Sequence, residues 1–207
     1  MTAKVKVCGI TTPEDGVMAA KAGVAAIGLV FWPGSPRFVD RALARRIVDA
    51  LPSFVLRVGV FVDQSLDMMT RTADDVGLDI IQLHGAEPPE MLACLPRRVI
   101  KAIRVGSDSV MDEVRRYDGA SILLDTKDEL RAGGTGKTFD WQTAQQVRAR
   151  VPFLVLAGGL TPENVAAAIK TVGPDAVDVS SGVESKPGKK DPRKLKAFLA
   201  AVRGAVR

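Results

Sequence analysis

Cysteine is nearly absent from this chain. Cys8 and Cys94 are the only two among 207 residues, too few for a disulfide framework. One closes an apolar run and the other sits in the helical pattern EMLACL, so both are expected to be free thiols. His84 is the sole histidine and no CxxC pair occurs, which leaves no metal site of the usual zinc type in view. Long apolar runs are missing as well. Nothing approaches the roughly 18 to 20 residues that a membrane span requires, and MTAKVKVCGI lacks the apolar core of a secretion signal. The expectation is a soluble, cytoplasmic protein without a membrane partner. Aromatic residues make up only 5% of the chain, and none falls in its densest basic stretch, KPGKKDPRKLK at 186–196. A nucleic-acid surface normally interleaves aromatics with its cations. This stretch reads instead as a solvated loop and helix surface, which argues against a nucleic-acid partner, while the net charge of +5 favours a small anionic ligand.

What is plentiful is a repeating pattern. Short β-branched runs occur at 4–8, 26–31, 57–62, 79–84, 99–103, 121–125, 153–157 and 176–180. Helical patterns follow them at 13–22, 40–51, 65–76, 88–95, 107–117, 140–149, 162–171 and 191–204. Thr12-Pro13-Glu14 and Thr161-Pro162-Glu163 each offer a capping hydroxyl followed by a proline suited to the first helical position, and Asp40, Ser65 and Asp140 offer caps for three more helices. The strands read as apolar throughout, as parallel strands covered on both faces do. Strands alternating with helices are built from βαβ units. Eight of each favours an α/β fold closed as a (β/α)₈ TIM barrel over an open doubly wound sheet. No linker or shift of composition divides the chain, so residues 1–207 are expected to form a single barrel domain.

In such barrels the chemistry gathers at the C-terminal ends of the strands. Those ends hold Cys8, His84, Asp125, the pair Gly158-Gly159 and the triplet Ser180-Ser181-Gly182. A free cysteine is ordinarily a small buried apolar residue, but one at the rim, with a carboxylate across the mouth, is a chemical candidate. LAGGLTPENV and DVSSGVE place glycines where backbone amides can approach an anion, after the seventh and eighth strands, the recurrent phosphate site of these barrels. GGTGKT (133–138) imitates a P-loop, but the first glycine of that pattern would have to stand where Arg131 does, and no helix opens on Lys137. A glycine-hinged lid suits it better. SPRFV (35–39) puts Arg37 beside the mouth, either as an ordinary surface charge or as a fork for a substrate carboxylate. His84 reads as a residue that contacts the substrate or braces a neighbour, not as the main base.

Taken in order, KVCGIT, GLVFWPGSPRFV, VGVFVD, QLHG, LLD followed by GGTGKTFDW, LAGGLTPENV and VDVSSGVESKPGKKD resemble the phosphoribosylanthranilate isomerases of tryptophan biosynthesis, from Lys4 through Asp191. The ordered set is far more specific than any one motif. Asp63 departs from it, since the resemblance would put asparagine there. The resemblance implies an isomerase of the aldose–ketose type. Its reaction is the Amadori rearrangement of N-(5-phosphoribosyl)anthranilate to 1-(2-carboxyphenylamino)-1-deoxyribulose 5-phosphate, with no cofactor and no metal. It implies Cys8 as general base, Asp125 as general acid and Arg37 on the anthranilate carboxylate. Gly158, Gly159, Ser181 and Gly182 would cradle the phosphate, with Asp178 and Ser180 nearby. The partner is then a small phosphorylated molecule, and the chain a monomer or homodimer.

The residue types suit that chemistry. Opening the ribose ring needs an acid at the ring oxygen, and forming the enolamine needs a base at the C2′ proton. At pH 7 an ordinary aspartate, with a pKa of about 3.9, is almost wholly ionised, and an ordinary thiol, at about 8.5, almost wholly protonated. Both are therefore expected to move toward neutrality, Asp125 through burial and Cys8 through a positive neighbourhood. Indoleglycerol-phosphate synthase, a rival phosphoribosyl-handling barrel, would need lysine and glutamate at strand ends, and no such pair stands out. A catalytically dead phosphate-binding barrel would have no use for Cys8 and Asp125. Turnover separates that reading from the first.

Overall fold

The computed structural model describes residues 2–105, 110–126 and 141–205. The GGTGKT motif, Lys137 and the cap read at Asp140 lie outside the described residues. Strands β1 (Lys4–Cys8), β2 (Ala26–Val30), β3 (Leu56–Phe61), β4 (Ile80–Leu83), β5 (Arg98–Val105), β6 (Ser121–Thr126), β7 (Leu154–Leu156) and β8 (Ala176–Val179) pair in chain order, and β8 returns to β1 to close a parallel barrel. Helices α1 (Pro13–Ala22), α2 (Arg41–Asp49), α3 (Leu66–Val76), α4 (Met91–Cys94), α5 (Val110–Arg116), α6 (Trp141–Arg148), α7 (Val165–Val172) and α8 (Pro192–Gly204) lie along the chain between and after the strands. The expected (β/α)₈ architecture is the one found. Among the described residues, no helix is long and apolar enough to cross a membrane.

Local chemistry explains most of the helix starts. Thr12, Asp40 and Ser65 accept hydrogen bonds from the backbone N–H of Asp15, Leu43 and Met68 respectively, so α1, α2 and α3 begin where their caps predict. The helix expected over 162–171 begins only at Val165. There Thr161 Oγ1 accepts from the Glu163 amide at 3.3 Å and Asn164 Oδ1 accepts from the Thr161 amide at 2.8 Å, closing a separate turn ahead of the helix. The helix expected over 88–95 shrinks to the four residues of α4: a residue ahead of a proline is disfavoured in the α region, as Pro88 is by Pro89, and the chain there makes only tight turns onto the Pro88 and Pro89 carbonyls. A short antiparallel hairpin, β9 (Glu184–Lys186) with β10 (Lys189–Lys190), had no forecast in the sequence pattern.

Two layers of apolar packing hold the barrel. The larger fills the space between strands and helices, with Val7, Ile27, Leu29, Phe61, Ile81, Leu83 and Ile103 among its fully buried members. The smaller comprises Ile100, Ala102, Leu123, Val155, Ala157 and Ala176, the alternate residues of the same strands, and fills the barrel interior. That interior is not apolar throughout, although the strands read as apolar throughout in the sequence. Lys6, Gln82 and Asp178 are buried beside the cluster, and they give the barrel a polar layer toward its C-terminal mouth.

One buried ion pair lies outside the barrel wall and fixes the loop that follows β4. Lys101, wholly buried on β5, donates to the Gly85 carbonyl at 2.5 Å and to Glu87 Oε2 at 2.9 Å. Its ammonium also lies over the Tyr117 ring, 5.2 Å from the centroid. The Glu87 carboxylate accepts from the amides of Asp63 and Gly85, and the Tyr117 hydroxyl donates to the Glu87 carbonyl. Asp63 has a left-handed backbone, φ 53°, and its Oδ1 accepts from the Ala86 amide at 2.6 Å. Aspartate and asparagine share that backbone tolerance and that acceptor oxygen, so the departure at Asp63 keeps what the position needs. Breaking the pair strands a cation in the core. Glu87→Ala is expected to cost about 3 to 5 kcal/mol, read as a lower urea midpoint with unchanged slope. Replacing both partners by apolar residues of similar volume is expected to restore most of it.

Candidate active site

A cavity of about 480 Å³ opens at the C-terminal ends of the strands. Cys8, Arg37, His84, Asp125, Gly158, Gly159, Asp178, Ser180, Ser181 and Gly182 all line it, so the ten residues singled out from sequence share one space. Trp32, Gln82 and Arg104 line it too.

Cys8 ends β1, and its register partner on β2 is Gly28. A Cβ at Gly28 would lie 2.7 Å from Cys8 Sγ and 3.1 Å from Lys6 Nζ. That position must be glycine, and the thiol and ammonium crowd the same spot. Lys6 Nζ donates to Asp178 Oδ2 at 2.8 Å, with both side chains buried. Burial favours a neutral Lys6, but the Asp178 carboxylate and the neighbouring thiol outweigh it and hold the ammonium charged. Burial pushes the Cys8 thiol up from its ordinary value. The Lys6 and Lys190 cations pull it down without overcoming burial, while Asp178 adds to the rise. The positive neighbourhood expected for Cys8 is therefore present, but the thiol of the free barrel is not drawn toward neutrality. Asp178 itself is pushed up, first by burial and then by the Asp125 charge, against the pull of Lys6.

Asp178, expected near the phosphate turns, lines the same cavity as Ser181 and Gly182, and its carboxylate is paired with Lys6. It sits within β8, register partner of Lys6 across the seam, because residues two apart on a strand share a face and the turn begins only beyond Ser180. An anion there is a poor neighbour for phosphate and a good one for the ammonium. Its Oδ1 is buried without a hydrogen-bond partner among the described residues.

Across the mouth, Asp125 Oδ2 lies 3.1 Å from His84 Nε2, and His84 Nδ1 lies 3.1 Å from Gln82 Nε2. His84 thus braces the carboxylate. Gln82 was missed in the sequence, although its place two residues before His84 on an inward-facing row was a usable signal.

Arg37 is held differently from the expected free fork. Its Nε and Nη2 donate to Glu184 Oε1 and Oε2 at 2.8 and 2.6 Å, a bidentate pair. Glu184 also accepts from Lys190 Nζ at 2.7 Å, and the same ammonium donates to the carbonyls of Cys8 and Ser180 at 2.6 and 3.3 Å. Burial tends to raise the Glu184 carboxyl, but the bonds from Arg37 and Lys190 hold it below its ordinary value. Burial lowers Lys190 despite Glu184. The basic run over 186–196 is therefore not merely solvated surface: Lys190 is only 2% exposed. Nothing local distinguishes it from its exposed neighbour Lys189. The hairpin alone turns it inward.

The two glycine turns meet closely. Gly158 and Gly159 have φ of 87° and 58°, the left-handed region that glycine enters freely. A Cβ at Gly182 would collide with the Leu160 carbonyl oxygen. Asn164 Nδ2 donates to the Gly159 carbonyl at 3.0 Å, and Ser180 Oγ donates to the Cys8 carbonyl at 3.1 Å. One turn is thereby tied to α7 and the other to the end of β1.

Comparison with known proteins points the same way. The family model for N-(5'-phosphoribosyl)anthranilate isomerase matches residues 5–201. The N-(5'-phosphoribosyl)anthranilate isomerase of Geobacter sp. (strain M21) is 49% identical over 197 residues, covering 95% of this chain and 96% of that relative. The phosphoribosyl anthranilate isomerase of Thermotoga maritima has a similar solved structure, with a TM-score of 0.91 at 46% identity, covering 98% of this chain and 99% of that one. A phosphoribosyl anthranilate isomerase solved in complex with reduced 1-(o-carboxyphenylamino)-1-deoxyribulose 5-phosphate gives a TM-score of 0.89 at 43% identity, with coverage of 98% and 99%. This chain belongs to the phosphoribosylanthranilate isomerase family of tryptophan biosynthesis.

Proposed function

We propose that Cys8 is the base and Asp125 the acid of the family's Amadori rearrangement, carried out by residues 1–207 acting as one barrel domain. The observation that carries this reading is that a thiol beside an ammonium and a carboxyl beside an imidazole line one cavity with the two glycine turns. Asp125 protonates the ribose ring oxygen and the C1′–O bond breaks, while the anthranilate nitrogen lone pair forms C=N at C1′. The Cys8 thiolate then removes the C2′ proton. The electron pair released forms C1′=C2′, and the C=N pair returns to nitrogen. The enolamine so formed takes a proton at C1′ and loses one from the C2′ hydroxyl, leaving the ketone. C1′ is reduced as C2′ is oxidised, so the reaction needs no outside oxidant. Gly158, Gly159, Ser181 and Gly182 hold the phosphate through backbone amides. The Glu184 pairing aims Arg37 and leaves Nη1 without a partner among the described residues, and we assign that nitrogen to the anthranilate carboxylate.

The partner on this reading is a small phosphorylated molecule in the cytoplasm, with the chain a monomer or homodimer. Phe54, fully exposed after α2, gives a homodimer an apolar contact to cover.

Turnover is measured by adding phosphoribosylanthranilate and following the loss of its fluorescence. Cys8→Ser and Asp125→Asn are each expected to lose about 10² to 10⁴-fold in kcat, the usual span of general acid or base catalysis, with an unchanged circular dichroism spectrum. A Cys8→Ser protein with near-normal kcat would return Cys8 to the role of a small buried residue.

The pH dependence follows from the direction of the Cys8 shift. Thiolate is the active form and burial raises the thiol. The rising limb of kcat/KM in the free enzyme is therefore expected on the alkaline side of an ordinary thiol titration. Removing the Lys6 cation moves it further the same way, so Lys6→Met is expected to shift the limb to higher pH and slow alkylation of Cys8 at fixed pH. The alkylation is best read in a Cys94→Ser background, because Cys94 is exposed. A limb that does not move with Lys6→Met would assign it to another group.

Arg37→Lys keeps the charge and loses the planar fork. Its kcat/KM is expected to fall by roughly 10- to 150-fold, the value of a charged hydrogen bond of about 1.5 to 3 kcal/mol. Equal efficiency would make Arg37 a partner of Glu184 and nothing more.

A further inference from the structure

His84 is the only histidine in the chain, and among the described residues each ring nitrogen has one polar partner at 3.1 Å, Gln82 Nε2 at Nδ1 and Asp125 Oδ2 at Nε2. Gln82 is 1% exposed on β4, and its Oε1 has no hydrogen-bond partner among the described residues. An amide nitrogen only donates. A neutral imidazole that meets a donor at Nδ1 must accept there, and it then carries its proton on Nε2. From these contacts we propose that Gln82 is a positioning residue for the acid: it holds His84 in the Nε2–H tautomer, so that the ring donates to Asp125 Oδ2 and the acidic proton is confined to Oδ1. The inference rests on the reading of Asp125 as the acid.

The arrangement matters because of what changes when the proton leaves. As Asp125 Oδ1–H gives its proton to the ribose ring oxygen, negative charge develops on the carboxylate. The Nε2–H···Oδ2 contact then becomes a bond to a charged acceptor, roughly twice as strong as one between neutral groups. A contact stronger in the transition state than before it accelerates the step. In the other tautomer, a bare Nε2 would accept a proton from Oδ2–H and hold it against the ring, leaving Oδ1 with none to give. A reversed Gln82 amide would favour that state, since Oε1 facing Nδ1 calls for a proton there. It would also set a bare Nε2 against Asp125 whenever the carboxylate is ionised, two acceptors face to face. The orientation seen satisfies both ring nitrogens of His84 in the form that follows proton transfer.

A single histidine makes the test direct. In ¹⁵N-labelled protein the long-range ¹H–¹⁵N spectrum holds one imidazole pattern. At neutral pH it is expected to show a bare Nδ1 and a protonated Nε2. Gln82→Glu, whose carboxylate only accepts, is expected to bring a proton onto Nδ1. It should lower kcat by about 10- to 100-fold, part of what general acid catalysis supplies, with KM changed by no more than about threefold. Gln82→Met, similar in size and without a donor, is expected to release the ring to both tautomers and give averaged shifts, should the glutamate variant not fold. A wild-type ring protonated on Nδ1 overturns the proposal, and so does a folded Gln82→Met protein with an unchanged imidazole pattern and unchanged kcat. Failure of the reading of Asp125 would appear elsewhere, as an active Asp125→Asn enzyme, and would leave the wild-type tautomer as expected.

Discussion

The barrel closes where β8 meets β1, and the Lys6–Asp178 pair lies buried on that seam. Two charges taken out of water cost more than they return unless they meet closely, so the pair tolerates only a seam that brings Nζ to within hydrogen-bond reach of Oδ2. Two residues further along stand Cys8, at the end of β1, and Ser180, just past the end of β8, and the Ser180 hydroxyl donates to the Cys8 carbonyl. Thus the register that satisfies the ion pair also sets the thiol beside the turn that follows β8. The ammonium that completes the pair is the one that tempers the burial of the thiol.

Two further buried ionic groups repeat the arrangement elsewhere on the rim. Lys101 and Glu87 hold the chain that leaves His84, and Lys190 and Glu184 hold Arg37 and the end of β1. Buried ion pairs are poor sources of net stability, and apolar residues of equal volume often do as well. Their value here is geometric. Each ties a loop of the C-terminal face in place, one beside the imidazole and the other beside the guanidinium and the strand end that carries the thiol. Rigid support of this kind keeps these groups in place around a cavity that the two glycine turns also line.

Some of this was legible in the chain. Thr12, Asp40 and Ser65 act on donors three residues away, so their caps could be read without knowing the fold. The rows of β-branched residues announced the strands, and the glycine pairs announced the turns. Thr161 was misread because Asn164, also local, competes for the same turn. Lys190 was misread because a cation in a basic run is usually solvated, and only the hairpin carries it inward. Asp178 was expected near the phosphate turns, and the cavity they share contains it, but its pairing with Lys6 on the far end of the chain could not be read locally.

By itself the sequence determined the order of strands and helices, and with it which residues stand at strand ends. Period and capping chemistry act over a few residues, and eight repeats of one unit leave few ways to close. Tertiary structure alone decided the partners. Arg37 meets Glu184 across 147 residues and Lys6 meets Asp178 across 172, and no periodicity connects such positions. The charge state of each group followed from those meetings, because burial sets the direction of a thiol or an ammonium as strongly as its neighbours do. Burial is a property of the closed barrel, not of any stretch of chain.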